Sequence, residues 1–198
     1  GLPELDRVLR GGVSPGELAV IVAATGIGKS RFLVFVGGSG ILRGKRVLHL
    51  TLEETKNKCF DRYVARLGGL TEDDLATMPP KQKLAIRDKV LRGKRGRLTV
   101  IHGQGGKIKV GDVGRELERE RYGLLIVDYG DRLTPDTRYE EKRHEYGQVF
   151  EDLKDLALRM QIPLWTATQA RREAYDKAVL GPEDVSESLT KAKRSEER

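Results

Sequence analysis

Residues 23–30 read Ala-Ala-Thr-Gly-Ile-Gly-Lys-Ser, straight after an apolar run and straight before a helical pattern. The stretch meets the pattern G-x-x-x-x-G-K-[ST] at Gly28, Lys29 and Ser30, with Ala23 where the first glycine would stand. These residue types in this order can cradle a phosphate. Gly26 and Gly28 let backbone N–H groups turn inward and approach it closely, and a helix starting near Lys29 adds its positive dipole end. Lys29 would reach the β- and γ-phosphates of a nucleotide, and the Ser30 hydroxyl would bind Mg²⁺. Ala24, Thr25, Gly26, Ile27, Gly28, Lys29, Ser30 and Arg31 are therefore the candidate nucleotide contacts. An ordinary tight turn between strand and helix could also carry two glycines, but it has no need of the Lys-Ser pair.

Three further side chains could complete the chemistry. Leu124-Leu125-Ile126-Val127-Asp128 is an apolar strand ending in a carboxylate, suited to stand beside a magnesium ion, usually through water. An Asp at a strand end is by itself a weak signal, because turns favour Asp. Leu50-Thr51-Leu52-Glu53-Glu54 places a carboxylate on the strand next to the phosphate loop, where it can polarise an attacking water. The same pair could instead be the acidic start of a helix, favoured by the dipole. Thr166-Ala167-Thr168-Gln169 closes another strand with an amide at the sheet edge, where the γ-phosphate would lie.

The elements that must position these groups alternate along the chain. A short amphipathic helix, Leu5 to Arg10, ends at Gly11-Gly12. Strands are expected at Leu18–Ala23, Arg46–Leu52, Arg97–His102, Leu124–Asp128 and Leu164–Thr168. Helices are expected at Ser30–Leu42, Lys58–Leu67, Lys81–Leu91, Val110–Arg121 and Glu141–Met160, the last with Val149, Leu153, Leu156 and Met160 on one stripe. Strands separated by helices imply parallel crossovers, hence an α/β doubly wound sheet that binds ligands at the carboxyl ends of its strands. Trp165, inside the fifth strand, reads as core rather than cofactor contact. No internal repeat or low-complexity linker is visible, and 198 residues suit one domain.

Composition excludes several classes. Apolar stretches such as Phe32 to Val36 fall far short of the roughly 18–20 residues a membrane span needs. One cysteine, Cys59, forms no disulfide scaffold, and His49, His102 and His144 are too scattered with it for a zinc site. A cytoplasmic domain with no membrane contact is expected, and Gly1 in place of Met suggests a fragment or a processed start. The net charge is +7, and the segment from Pro79 to Arg97 alone carries eight basic residues against the single acid Asp88. The whole excess therefore lies there. Such a segment could meet a polyanion, or be a solvated helix face.

The combination resembles the RecA-like core of P-loop NTPases, a mostly parallel twisted sheet with helices on both faces. Within that group it resembles the motor domain of DnaB-type replicative helicases, including phage relatives. The matching residues are Leu2–Leu9 (LPELDRVL), the phosphate loop, LTLEE, LLIVDYGDRLTP, the RYEEKRHE helix start at Arg138–Glu145, WTATQARRE and Glu183–Lys193 (EDVSESLTKAK). Ala commonly replaces the first loop glycine in that family. The resemblance implies Glu53 as catalytic glutamate, Lys29 as phosphate lysine, Ser30 and Asp128 on the metal side, and Gln169 as γ-phosphate sensor. It also implies ATP and Mg²⁺, single-stranded DNA, a homo-oligomer forming a hexameric ring, 5′-to-3′ movement, and a primase or helicase loader as further partner. The stretch from Gln169 to Lys191 is similar to a channel loop that contacts DNA, with Arg172, Lys177, Ser186 and Lys191 as the candidate contacts.

Two departures and two rivals accompany the match. The family continues after Lys-Ala-Lys with an apolar strand and a hairpin carrying an arginine finger, whereas here Lys193 meets Arg194-Ser195-Glu196-Glu197-Arg198. An N-terminal domain usually precedes the equivalent of Leu2 in bacterial members. A single RecA-like domain over residues 1–198, lacking both, is the expectation. The run Gly11–Leu18 and the double Glu53-Glu54 suit a KaiC- or RadA-like ATPase or recombinase equally well. A DNA-binding or assembly module that holds ATP without helicase activity is the other rival.

Overall fold

A computed structural model describes residues 3–103, 107–136 and 142–170, with the side chains of 142–146 left aside. Helix α1 covers Pro3–Val8, followed by strand β1 at Leu18–Ala23 and helix α2 at Lys29–Leu42. Strand β2 is Arg46–Thr51; helices α3, α4 and α5 cover Lys56–Gly68, Glu72–Thr77 and Pro80–Arg92. Strand β3 is Arg97–His102, α6 Val110–Arg119, β4 Leu124–Asp128, α7 Lys142–Met160 and β5 Leu164–Gln169. A 3-10 turn at Gly130–Arg132 leaves β4.

The five strands form one sheet in the order β1-β5-β4-β2-β3, every neighbouring pair parallel. The continuous apolar runs follow from burial on both faces. In β4, Leu125 and Val127 face α6 and α7, sharing a core with Leu48, Leu50, Val113, Leu117, Leu153 and Leu156. Leu124 and Ile126 face the other way, onto Leu33, Val34, Ile41, Cys59 and Tyr63 of α2 and α3. Trp165 is half-buried at the edge of that second core, its ring 6.0 Å from Phe32.

The strand order corrects one expectation. β2, which leads into Glu53, is not adjacent to the phosphate-loop strand: β5 and β4 lie between β1 and β2. Parallel crossovers let the chain skip positions that later strands fill, and sequence order alone does not show which. β5 is likewise an interior strand, so Gln169 stands at the carboxyl end of the sheet and not at its lateral edge.

A polar contact sits inside the second core. Tyr63 of α3 reaches across α2 to place its hydroxyl 2.8 Å from His49 Nδ1 on β2. The passage exists because position 37 is glycine: a Cβ there would lie 2.0 Å from the Tyr63 oxygen. Burial pushes the His49 imidazole down to a pKa of about 3, so it is neutral in the fold.

Helix α4 is an element the periodicity did not indicate. It is six residues long and starts on a capping box, Thr71 and Asp74 each bonding the other's backbone N–H.

Candidate nucleotide site

β1 delivers the phosphate loop, and Gly28 caps α2 at φ 100°, a conformation that favours glycine. The Lys29 ammonium donates to the Ala23 and Ala24 carbonyl oxygens, both at 2.9 Å, so it arches back over the loop. The cavity above has a volume of about 340 Å³ and is lined by Thr25, Gly26, Gly28, Lys29, Ser30, Arg31, Glu53, Glu54, Arg62, Tyr129 and Gln169. Parallel strands ending together bring these residues to one place, although they span almost 150 positions. Ala24 and Ile27 belong to the loop but not to the lining, and the Ile27 side chain is exposed.

Asp128 lies buried beneath the cavity floor and accepts a hydrogen bond from the Ser30 hydroxyl. Burial pushes its carboxyl up to a pKa of about 6; the Ser30 bond opposes this, and the charges of Glu54 and Glu53 add to it. Its Oδ1 is buried with no hydrogen-bond partner among the described residues. A hydroxyl bonded to a carboxylate that keeps a free oxygen fits the hard oxygen donors Mg²⁺ prefers.

The two adjacent glutamates part company. Glu54 is held by Arg62, whose Nη2 donates to Oε1 at 2.7 Å and whose Nη1 stands 2.5 Å from Oε2. Lys58 Nζ adds a contact at 3.1 Å, and Thr51 Oγ1 donates to the Glu54 carbonyl oxygen at 2.9 Å. Arg62 and Glu54 keep only 12% and 16% of their side chains exposed. Arg62 also reaches Glu72 of α4 at 3.4 Å, and Glu72 binds Arg31 at 2.9 Å, so one ionic chain runs from the Glu54 turn to the start of α2. Glu53, 45% exposed, has a single cation near it among the described residues: Arg132 at 4.0 Å.

The turn after β4 joins the remaining pieces. Asp131 accepts the Thr168 hydroxyl at 2.8 Å and the Gln169 backbone N–H at 3.2 Å, fixing the end of β5. Arg132 Nε donates to the Tyr129 hydroxyl at 3.1 Å, and the Gln169 amide donates to the same oxygen at 3.3 Å. Arg62, Glu72, Tyr129, Asp131 and Arg132 were not singled out in the sequence. Lys58 and Arg62, four residues apart on a helix that follows the glutamates, were the available signal for the first. Arg172, Lys177, Ser186 and Lys191 lie outside the described residues, as do Arg138–Glu141 of the charged segment.

The all-parallel sheet, with the phosphate loop after β1, is the fold of RecA-like P-loop ATPase domains. It superposes on the ATPase domain of G40P with a TM-score of 0.80 at 18% identity, over 96% of this chain and 71% of that one. A DnaB-like replicative helicase, solved in a study of its interactions with primase, matches with a TM-score of 0.74 at 18% identity, over 90% of this chain and 46% of that one.

The chain belongs to the DnaB-like helicase C terminal domain family, whose profile matches residues 1–188. It is 26% identical over 200 residues to a DnaB-like replicative helicase of Enterobacteria phage T4, covering 93% of this chain and 41% of that protein. A probable plasmid replicative DNA helicase of Chlamydia psittaci is 26% identical over 184 residues, 83% of this chain and 37% of the relative. The chain thus spans about two-fifths of the length of these relatives. The DNA repair protein RadA of Synechocystis is 46% identical over 128 residues, 65% of this chain and 23% of that protein.

Proposed function

We propose that this domain is the ATP-hydrolysing motor of a hexameric, cytoplasmic replicative DNA helicase that moves 5′ to 3′ on single-stranded DNA. The observation that carries the reading is the Glu53 carboxylate on the wall of the phosphate-loop cavity, with only Arg132 at 4.0 Å among the described cations, while Glu54 is tied to Arg62. Lys29, once a phosphate displaces the Ala23 and Ala24 carbonyls, neutralises charge on the β- and γ-phosphates. Glu53 orients or deprotonates the attacking water in line with the γ-phosphate, giving ADP and phosphate. Ser30 and Asp128 would hold Mg²⁺, which would supply charge neutralisation at the nucleotide phosphates. Gln169, joined to Tyr129 at 3.3 Å and to Asp131 through its backbone, senses the γ-phosphate and moves the residues that follow it. Those residues, with Arg172, Lys177, Ser186 and Lys191, contact the DNA backbone, and a primase or loader joins the ring.

A second reading, a RadA-like ATPase, draws on the 46% identity shared with RadA over two thirds of the chain. Steady-state ATP turnover with and without single-stranded DNA tests both. Stimulated turnover with 5′-to-3′ unwinding is the expected result. Stimulation with strand exchange and no unwinding supports the second reading, and no turnover at all overturns both.

A further inference from the structure

The chain uses one turn sequence twice. Ile41-Leu42-Arg43-Gly44-Lys45-Arg46 and Val90-Leu91-Arg92-Gly93-Lys94-Arg95 differ only at the first position, Ile for Val. Each closes a helix and leads into a strand: α2 into β2, and α5 into β3. These are neighbouring parallel strands, with Arg46 opposite Arg97. The turns touch: Gly96 N–H donates to the Ile41 carbonyl at 3.1 Å, Arg97 N–H donates to the Lys45 carbonyl at 3.1 Å, and a Cβ on Gly44 would lie 3.8 Å from that of Arg95.

Seven cations therefore gather at the amino end of the sheet, the end opposite the nucleotide cavity. Three at the margin have carboxylate neighbours: Arg43 with Asp6 at 3.9 Å, Arg46 with Glu120 at 2.5 Å and Arg92 with Asp88 at 2.8 Å. Arg97 turns its guanidinium back onto the Lys94 carbonyl at 3.3 Å. Lys45, Lys94 and Arg95 have no acidic partner among the described residues. A helix C-terminus favours cations through its dipole, but that effect fades within the last turn. It accounts for Arg43 and Arg92, and not for Lys45, Lys94, Arg95 and Arg97, which lie beyond the helix ends.

We propose that the paired Arg-Gly-Lys-Arg turns form a docking surface for the phosphate backbone of nucleic acid, separate from the nucleotide cavity. The chemistry favours a polynucleotide over a protein or a membrane. Guanidinium forks and ammonium groups match phosphate oxygens. The turns carry no aromatic residue, and Leu42 is their one large exposed apolar side chain, too little for an interface core or for insertion into lipid. Binding here reads charge and not sequence, so it depends steeply on salt.

The test is the salt dependence of binding to a labelled single strand and to a labelled duplex, between about 50 and 200 mM salt. The triple variant Lys45→Gln, Lys94→Gln, Arg95→Gln is compared with Lys56→Gln, Lys81→Gln, Lys107→Gln, which removes equal charge from exposed positions away from these turns. The first variant is expected to lose at least about tenfold in affinity at low salt, with a slope of log K against log salt shallower by about 2–3. The second is expected to stay close to the unaltered protein. The arm showing the larger loss tells whether a single strand or a duplex occupies the surface. Equal losses in both variants, no loss in either, or no binding by the unaltered protein overturns the proposal. ATP affinity and melting temperature are measured in parallel and are expected to be unchanged, so a failure of the ATPase reading shows separately.

Discussion

Charge is handled in opposite ways at the two ends of the sheet. At the carboxyl end the ionic side chains are engaged: Lys29 with backbone carbonyls, Asp128 with Ser30, Glu54 with Arg62, Arg31 with Glu72. Glu53 is the loosely held exception. At the amino end Lys45, Lys94 and Arg95 stand without acidic partners among the described residues. The first arrangement restricts each group to one geometry, which chemistry on a phosphate requires. The second leaves a field without geometry, which suits a ligand read by charge alone. The +7 excess of Pro79–Arg97 lies in and beside α5, and none of those residues lines the nucleotide cavity.

Disturbing the carboxyl end should cost most. Lys29→Ala is expected to reduce ATP turnover on the order of 10³-fold or more, measured in steady state, with normal thermal stability. Retained turnover would break the comparison at its strongest point. Next comes the core beneath the site. Gly37→Ala should destabilise the fold by about 1–3 kcal/mol, because its Cβ would meet the Tyr63 oxygen at 2.0 Å and Ile126 Cδ1 at 2.8 Å. Denaturant unfolding measures this, and a change within about 0.5 kcal/mol would show that the passage is not tight.

His49 gives a pH dependence. Its pKa is lowered from 6.5 to about 3, so between those values the unfolded chain takes up a proton that the folded one refuses. This contribution is complete above pH 6.5 and is lost as pH falls toward 3, by up to about 1.4 kcal/mol per pH unit. Unfolding at pH 7 and pH 5 should show a smaller acid loss in His49→Gln than in the unaltered protein, and equal losses would contradict the assignment. The smallest effect belongs to the basic helix. Lys83 and Arg87 both stand 2.5 Å from Asp61 of α3, so they are structural and not free to meet a polyanion. Arg87→Ala should cost about 1 kcal/mol of stability, the partly exposed pair being screened by solvent, and leave the salt dependence of DNA binding unchanged.

Most of the frame was legible in the sequence, because the strands are short apolar runs and the phosphate loop has to join a strand to a helix. The order of the strands was not. Glu53 reaches the cavity because β2 ends level with β1 across two intervening strands, and no local pattern encodes that. The preference for Glu53 over Glu54 came only from the resemblance, and the tie from Arg62 of α3 to Glu54 has no local pattern to announce it. Helix α4 escaped because six residues carry too little periodicity, although its Thr71–Asp74 spacing was a cap signal in plain view. The Arg-Gly-Lys-Arg turn is too short to read as an internal repeat in the sequence, and only the pairing of β2 with β3 brings its two copies together.

The central claim is that Glu53, and not its tethered neighbour, acts on the water. The direct measurement is ATP binding and turnover in Glu53→Gln beside Glu54→Gln. The account predicts that Glu53→Gln binds ATP normally and loses turnover by about 100-fold or more, while Glu54→Gln keeps most of its turnover and melts at a lower temperature. Normal turnover in Glu53→Gln, with the loss falling on Glu54→Gln instead, would contradict it.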